Sequence, residues 1–236
     1  MTANGDDEVM KEQELVFLFD VDNTLLDNDR VKAEMTERVH VLLDDEGMKK
    51  FWAIYEEVRQ ELDVVSWPET LARFMEAWPD KTVAYRVANI VNGWAYEEYV
   101  YPGTMAALEC VTQLGEVGIL SDGDTAYQPR KIGRAGLSKI VGYSDVLIFT
   151  HKQHHLEDIM RRLPGQHYVL VDDKESILAE AKEHLGDKLT TVWVRQGKYA
   201  HDPTRYRKPD PDIVLDEIGE LCKLTKEDFL RGKQEA

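Results

Sequence analysis

The chain has 236 residues, 45 of them Asp or Glu against 29 Lys or Arg, for a formal net charge of −16. That balance disfavours nucleic acid or an anionic membrane surface as the main partner, and no segment approaches the ~20 apolar residues of a membrane-spanning helix. A chain of this length buries roughly 70–75% of its unfolded surface without staples. Cys110 and Cys222, far apart and in no metal-like pair, are therefore expected to be free thiols in a reducing, cytoplasmic setting.

Residues 1–14, which include Asp6-Asp7-Glu8, have no basic stretch followed by an apolar one and read as a disordered tail. Next comes Leu15-Val16-Phe17-Leu18-Phe19, five consecutive apolar residues that suit a strand buried on both faces, as in a parallel sheet covered by helices. The run stops at Asp20-Val21-Asp22-Asn23-Thr24. Open α/β sheets build ligand crevices at the carboxyl ends of their strands, and the period of two aims Asp20 and Asp22 to one side. Two carboxylates that close repel unless a cation, a proton or a reaction separates their roles.

Residues 30–99 read as an all-helical insert between two parts of an α/β core, residues 15–29 and 100–236. Val31, Met35, Val39 and Leu42/Leu43 form one helical stripe; Phe51, Ile54, Tyr55 and Val58 a second; Leu71, Phe74, Met75 and Trp78 a third. Ser66, with Glu69 three residues on, and Asp80 are expected N-caps. A fourth helix is expected from about Asp80 to Tyr99. Trp52, Trp67, Trp78 and Trp94 all fall in this insert, where packing of a small bundle is the simplest role for them.

From Tyr101 onward helix and strand alternate with short connections, the pattern of a doubly wound parallel sheet. Strands are expected at 117–120, 146–149, 168–171, 191–194 and 213–215. Helices should start near Thr104, Gln128, Leu156 and Ile177, with a last one around Asp216 to Cys222. The basic stretch from Arg205 to Pro209 reads as a solvated loop. Three strands end in polar groups that complement the first pair: Ser121-Asp122-Gly123, then His151-Lys152, then Asp172-Asp173. Clustered carboxylates make a hard oxygen site suited to Mg²⁺. Ser121, the backbone N–H groups of the Gly123 turn and Lys152 could bind the phosphoryl oxygens of a small phosphorylated metabolite. His151, His154 and His155 lack an acidic or Cys motif alongside and are expected to be exposed or close to the phosphate.

In this order and spacing the chain resembles the haloacid dehalogenase-like superfamily, specifically its phosphatases with a helical cap of the C1 type. Asp20, Asp22 and Thr24 match the first motif, Ser121 the second, Lys152 the third, and Asp172 with Asp173 the acidic fourth. The stretch from Gln128 to Leu137 resembles the segment that follows the second motif. The resemblance implies a Rossmann-like core with an inserted cap, and a Mg²⁺-dependent phosphohydrolase working through an aspartyl-phosphate. Asp20 would be the nucleophile, Asp22 the acid and then the base, and Thr24 would orient Asp22. The metal would be held by Asp20, the Asp22 carbonyl and Asp172, with Asp173 orienting Lys152 or a metal-bound water. Members resembling dehalogenases lack the second Asp. A phosphomutase would keep both, and a catalytically weak phosphometabolite-binding protein is a further alternative. Two features depart from the pattern: Asp122 follows Ser121 where an uncharged residue is common, and Lys131 is a second, less apt lysine. Neither the substrate nor the oligomeric state is specified.

Overall fold

The computed structural model describes residues 13–202 and 206–231. Six parallel strands form one sheet in the order β3-β2-β1-β4-β5-β6. The central strand β1 (Gln13–Phe19) is followed by four helices: α1 (Asn28–His40), α2 (Asp45–Leu62), α3 (Trp67–Ala77) and α4 (Lys81–Asn92). The chain then returns through α5 (Thr104–Thr112), β2 (Glu116–Asp122), α6 (Tyr127–Arg134), β3 (Val146–Phe149), α7 (Leu156–Arg162) and β4 (Gly165–Asp172). It ends in α8 (Glu175–Leu185), β5 (Leu189–Val194), β6 (Ile213–Leu215) and α9 (Lys226–Leu230). This is the α/β, doubly wound parallel sheet expected from the sequence.

Leu15 to Phe19 are all buried, and alternation sends them to two different cores. Leu15, Phe17 and Phe19 pack with residues of α5, α9 and the four-helix segment, including an edge-on contact of Phe17 with Phe229 at 5.0 Å. Val16 and Leu18 pack with Leu156, Leu163, Leu170 and Leu178 on the other face. Of the expected tail, residues 1–12 lie outside the described residues, whereas Gln13 and Glu14 already belong to β1.

The helical stripes hold where the periodicity placed them. Ser66 caps α3, accepting from Glu69 N–H at 3.4 Å, and Asp80 caps α4, accepting from Thr82 and Val83 N–H. The fourth helix is shorter than expected. It ends at Gly93, whose N–H closes on Asn89 O, and residues 96–99 form a separate 3-10 turn with Tyr96 and Tyr99 buried. The final expected helix is likewise a 3-10 segment, Ile218–Lys223. In the basic loop, Arg205 lies outside the described residues; Arg207 pairs with Glu180 and Glu183 on α8, so the loop is tied down at that point.

The expectation of free thiols is overturned, because Cys110 and Cys222 form a disulfide, with Cα atoms 5.5 Å apart. Sequence separation hid the pairing: α5 packs directly on the 3-10 segment 218–223, bringing together residues 112 positions apart. The argument from free thiols for a reducing compartment falls with it. No helix among the described residues is long and apolar enough to cross a membrane.

Candidate active site

The strand order reverses at β1, whose neighbours are β2 on one side and β4 on the other. Pairing of Phe19 with Val171 continues one step further, where Asp20 N–H donates to Val171 O at 2.9 Å. Register alone therefore sets Asp20 beside Asp172 and Asp173 as the two strands end. Ligand oxygens of these three carboxylates lie within 4.8 Å of one another, and all three residues are buried. Burial, partly offset by Lys152, raises the Asp172 carboxyl. Burial and then the charge of Asp172 push Asp173 up to about 9.

Lys152 is fully buried among them. Its ammonium lies 2.5 Å from Asp20 Oδ1 and 2.7 Å from Asp172 Oδ2, and donates to Leu120 O at 3.2 Å. Burial alone would lower this group; Asp172, Asp20 and Asp122 outweigh burial and hold it above the ordinary lysine value. Lys174 follows the same logic, burial being overcome by Asp20, Asp172 and Asp173. Two ammonium groups thus face three carboxyl groups, and the third is neutralised by the proton that Asp173 retains, which a divalent cation would displace. Both side-chain oxygens of Asp173 are buried without a hydrogen-bond partner among the described residues. Oxygen-only donors and an unsatisfied buried carboxylate fit a hard divalent cation such as Mg²⁺.

Asp22 is separated from this cluster. Its carboxylate, about a third exposed, is held by Lys131 Nζ and by Gln128 Nε2 at 3.3 Å, while Lys131 also donates to Asn28 Oδ1 at 2.7 Å. Each motif aspartate therefore has its own lysine, and the lysine ranked second by sequence is part of the site. The signal was available: α6 starts just beyond β2, and Gln128 and Lys131 are three apart, hence on one helical face.

The remaining candidates sit close by with altered partners. Thr24 Oγ1 donates to Asp20 Oδ2 at 3.4 Å, so it bears on Asp20, where the resemblance had implied Asp22. Lys152 is oriented by Asp20 and Asp172, and Asp173 makes no hydrogen bond to it. Ser121 Oγ accepts from Gln128 Nε2 at 3.0 Å. Asp122 Oδ1 accepts from the backbone N–H of Lys152 at 2.8 Å, a structural use for the carboxylate that departs from the family pattern. Gly123, at φ 156°, turns the chain after β2, but its N–H donates to Phe149 O at 3.1 Å and is already engaged.

Above Asp22 opens a cavity of about 540 Å³, walled on the other side by Lys32, Tyr55 and Arg59 of the helical segment. Trp67 lines it as well as packing against Phe51 and Tyr55, whereas Trp52, Trp78 and Trp94 pack against their neighbours and do not reach it. His151 also lines it and meets Asp63 across the gap at 2.6 Å, which raises the imidazole above its usual value. His155 stacks on Phe149 at 4.7 Å, and among the described residues only Asp20, Asp172 and Asp173 form a metal-competent group.

The model of haloacid dehalogenase-like hydrolases matches residues 15–184. The chain belongs to that family. A proposed haloacid dehalogenase-like hydrolase from Burkholderia xenovorans LB400 is 38% identical, covers 91% of this chain and 98% of its own, and superposes with a TM-score of 0.82. A HAD phosphatase from Thermococcus onnurineus shares 22% identity over 88% of this chain and 96% of its own at a TM-score of 0.62. An L-2-haloacid dehalogenase from Xanthobacter autotrophicus shares 18% over 89% and 97%, with a TM-score of 0.57. The last two likenesses show the fold alone. No curated protein sequence matches the chain. Hydrolase chemistry on a Rossmann-like core follows from membership; the leaving group does not, since phosphatases and dehalogenases share it.

Proposed function

We propose that this hydrolase cleaves a small phosphomonoester with Mg²⁺ and an aspartyl-phosphate intermediate, under a cap formed by the helices between β1 and β2. The observation that carries the reading is Asp22: a second carboxylate at the cavity floor, outside the buried cluster and held by Lys131 and Gln128. Displacing halide from carbon needs no proton for the leaving group, so a dehalogenase has no use for a general acid in its first step. An alkoxide leaving phosphorus does need one.

In the first step an Asp20 carboxylate oxygen bonds to phosphorus, the ester P–O bond breaks, and Asp22 gives its proton to the departing oxygen, releasing the alcohol. In the second, Asp22 takes a proton from water as its oxygen bonds to phosphorus, and the aspartyl oxygen leaves, freeing phosphate and regenerating Asp20. Lys152 holds Asp20 in place from beneath, and Thr24 bears on its second oxygen. Lys131 sets positive charge beside the position where the leaving oxygen becomes negative. Asp20, Asp172 and Asp173 are the side chains that would hold Mg²⁺, which when bound supplies the charge that lets an anionic nucleophile approach an anionic phosphate.

Phosphate release from a panel of phosphomonoesters tests this. Asp20→Asn is expected to abolish turnover, and Asp22→Asn to lower kcat by about 10²–10⁴-fold, the usual yield of general acid–base catalysis. Full activity in Asp22→Asn would remove the ground for choosing an ester over a halide.

A further inference from the structure

At about 540 Å³ the cavity is far larger than a phosphoryl group requires, so the rest of the substrate must be sought on its opposite wall. That wall carries Lys32, half-buried, with Nζ 4.9 Å from the Trp52 ring centre and 4.7 Å from that of Tyr55. The two faces hold the ammonium in place. It has no ion pair among the described residues: the acids that act on it, Glu56 and Asp29, are engaged by Arg59 at 2.9 Å and by Lys198 at 3.2 Å, and Asp63 elsewhere on the cavity lining meets His151 at 2.6 Å.

A chain of net charge −16 has no shortage of carboxylates with which to neutralise a lysine. Here it leaves one uncompensated on a cavity wall, next to Arg59, whose Nε alone is spent on Glu56. Burial and the neighbouring Lys198 charge both lower the Lys32 ammonium, so an anion arriving there relieves an existing cost. Packing onto Trp52 and Tyr55 explains how Lys32 is held, but not why a lysine that lines the cavity is left without an ion pair.

We infer that Lys32, with Arg59 beside it, is a carboxylate subsite, and that the substrate is a phosphomonoester whose alcohol portion carries a carboxylate. The phosphate half of this statement rests on the reading above; the carboxylate half rests on the cavity wall alone. With the Arg59 charge already balanced by Glu56, the wall offers the net charge of one ammonium, which matches one carboxylate, whereas a second phosphate dianion would be only half neutralised.

Malonate and, separately, inorganic phosphate are titrated into the full chain by calorimetry and by tryptophan fluorescence, since Trp52 touches Lys32. Lys32→Met is expected to weaken malonate about tenfold or more, the loss of one charge-assisted contact, with Lys32→Arg within about threefold of wild type and phosphate affinity unchanged. Equal malonate affinity in wild type and a folded Lys32→Met, or no malonate binding by wild type, overturns the subsite. A Lys32→Met effect on phosphate that exceeds the effect on malonate reassigns the wall to a second phosphate and overturns the carboxylate. A parallel arm compares kcat/KM for a carboxylate-bearing phosphoester and its carboxamide counterpart, and the expected preference for the first should collapse in Lys32→Met. Lys32-dependent malonate binding without turnover of either ester would refute the phosphatase reading and leave the subsite standing.

Discussion

Replacing Lys152 by Met gives the sharpest test of how the buried cluster is held together. Methionine keeps the length and apolar stem of the side chain but removes the charge 2.5 Å from Asp20 and 2.7 Å from Asp172. Two carboxylates then face each other and Asp173 within 4.8 Å, with only Lys174 left to compensate. Breaking a buried pair by removing one partner costs about 3–5 kcal/mol, chiefly from the uncompensated charge left behind. For a domain of this size each kcal/mol moves Tm by about 2–4 °C, so melting in EDTA should fall by about 6–20 °C. The diagnostic is recovery. Adding Asp172→Asn to Lys152→Met removes one of the stranded charges and should restore more than half of the loss, a large non-additivity of the kind contacting residues show. An unchanged Tm in Lys152→Met, or a double variant no more stable than the single, would refute the charge balance inferred here.

Other expectations follow from the same geometry. Asp173 is raised to about 9 when folded, against an ordinary value near 4, so it binds a proton in the native state that the unfolded chain has lost; apo stability should fall as pH rises from about 4 towards 9. Asp173→Asn should flatten that slope in urea melts. Mg²⁺ at about 100 times its Kd should add about 2.7 kcal/mol, an increment expected to vanish in Asp172→Asn. His151 is raised by Asp63, so their bridge is fully present below the ordinary imidazole value near 6.5 and is lost as pH climbs through the raised one. Hydrogen exchange around Asp63, corrected for intrinsic rate, should therefore quicken between pH 6 and pH 9 in wild type but not in Asp63→Asn. Cleaving the Cys110–Cys222 link, which closes 112 positions, should lower stability by up to about 4–5 kcal/mol on the loop-entropy model, read as a drop in Tm on reduction. Gly115→Ala would drive a Cβ to 2.3 Å from the Leu15 carbonyl oxygen, a backbone clash expected to cost about 1–3 kcal/mol in chemical denaturation.

Much of the sheet was legible because each buried strand is a short apolar run ending in a polar group. The run Leu15 to Phe19 announced burial on both faces, and the structure splits it between two cores. The pairing of Asp20 with Asp172 and Asp173 could be anticipated only once a parallel sheet was assumed, since it depends on β1 lying beside β4. What stayed hidden was set by contacts between distant elements. Nothing local marks Cys110 as a neighbour of Cys222, and Gly93 ends α4 early through a cap that periodicity does not register. In sequence Lys131 and Lys152 look like rivals for one role, whereas in the fold Asp22 and Asp20 point to different neighbours and each engages its own lysine. The unpaired charge of Lys32 was illegible for a simpler reason: it is defined by which acids are already occupied, a property of the folded wall alone.

Hydrolysis of p-nitrophenyl phosphate by the wild type with Mg²⁺, by the same protein in EDTA, and by Asp20→Asn separates metal-assisted attack by Asp20 from every other route. Release of p-nitrophenol that requires both Mg²⁺ and Asp20 is expected. Turnover that survives in EDTA or in Asp20→Asn would contradict a metal-assisted attack by this carboxylate.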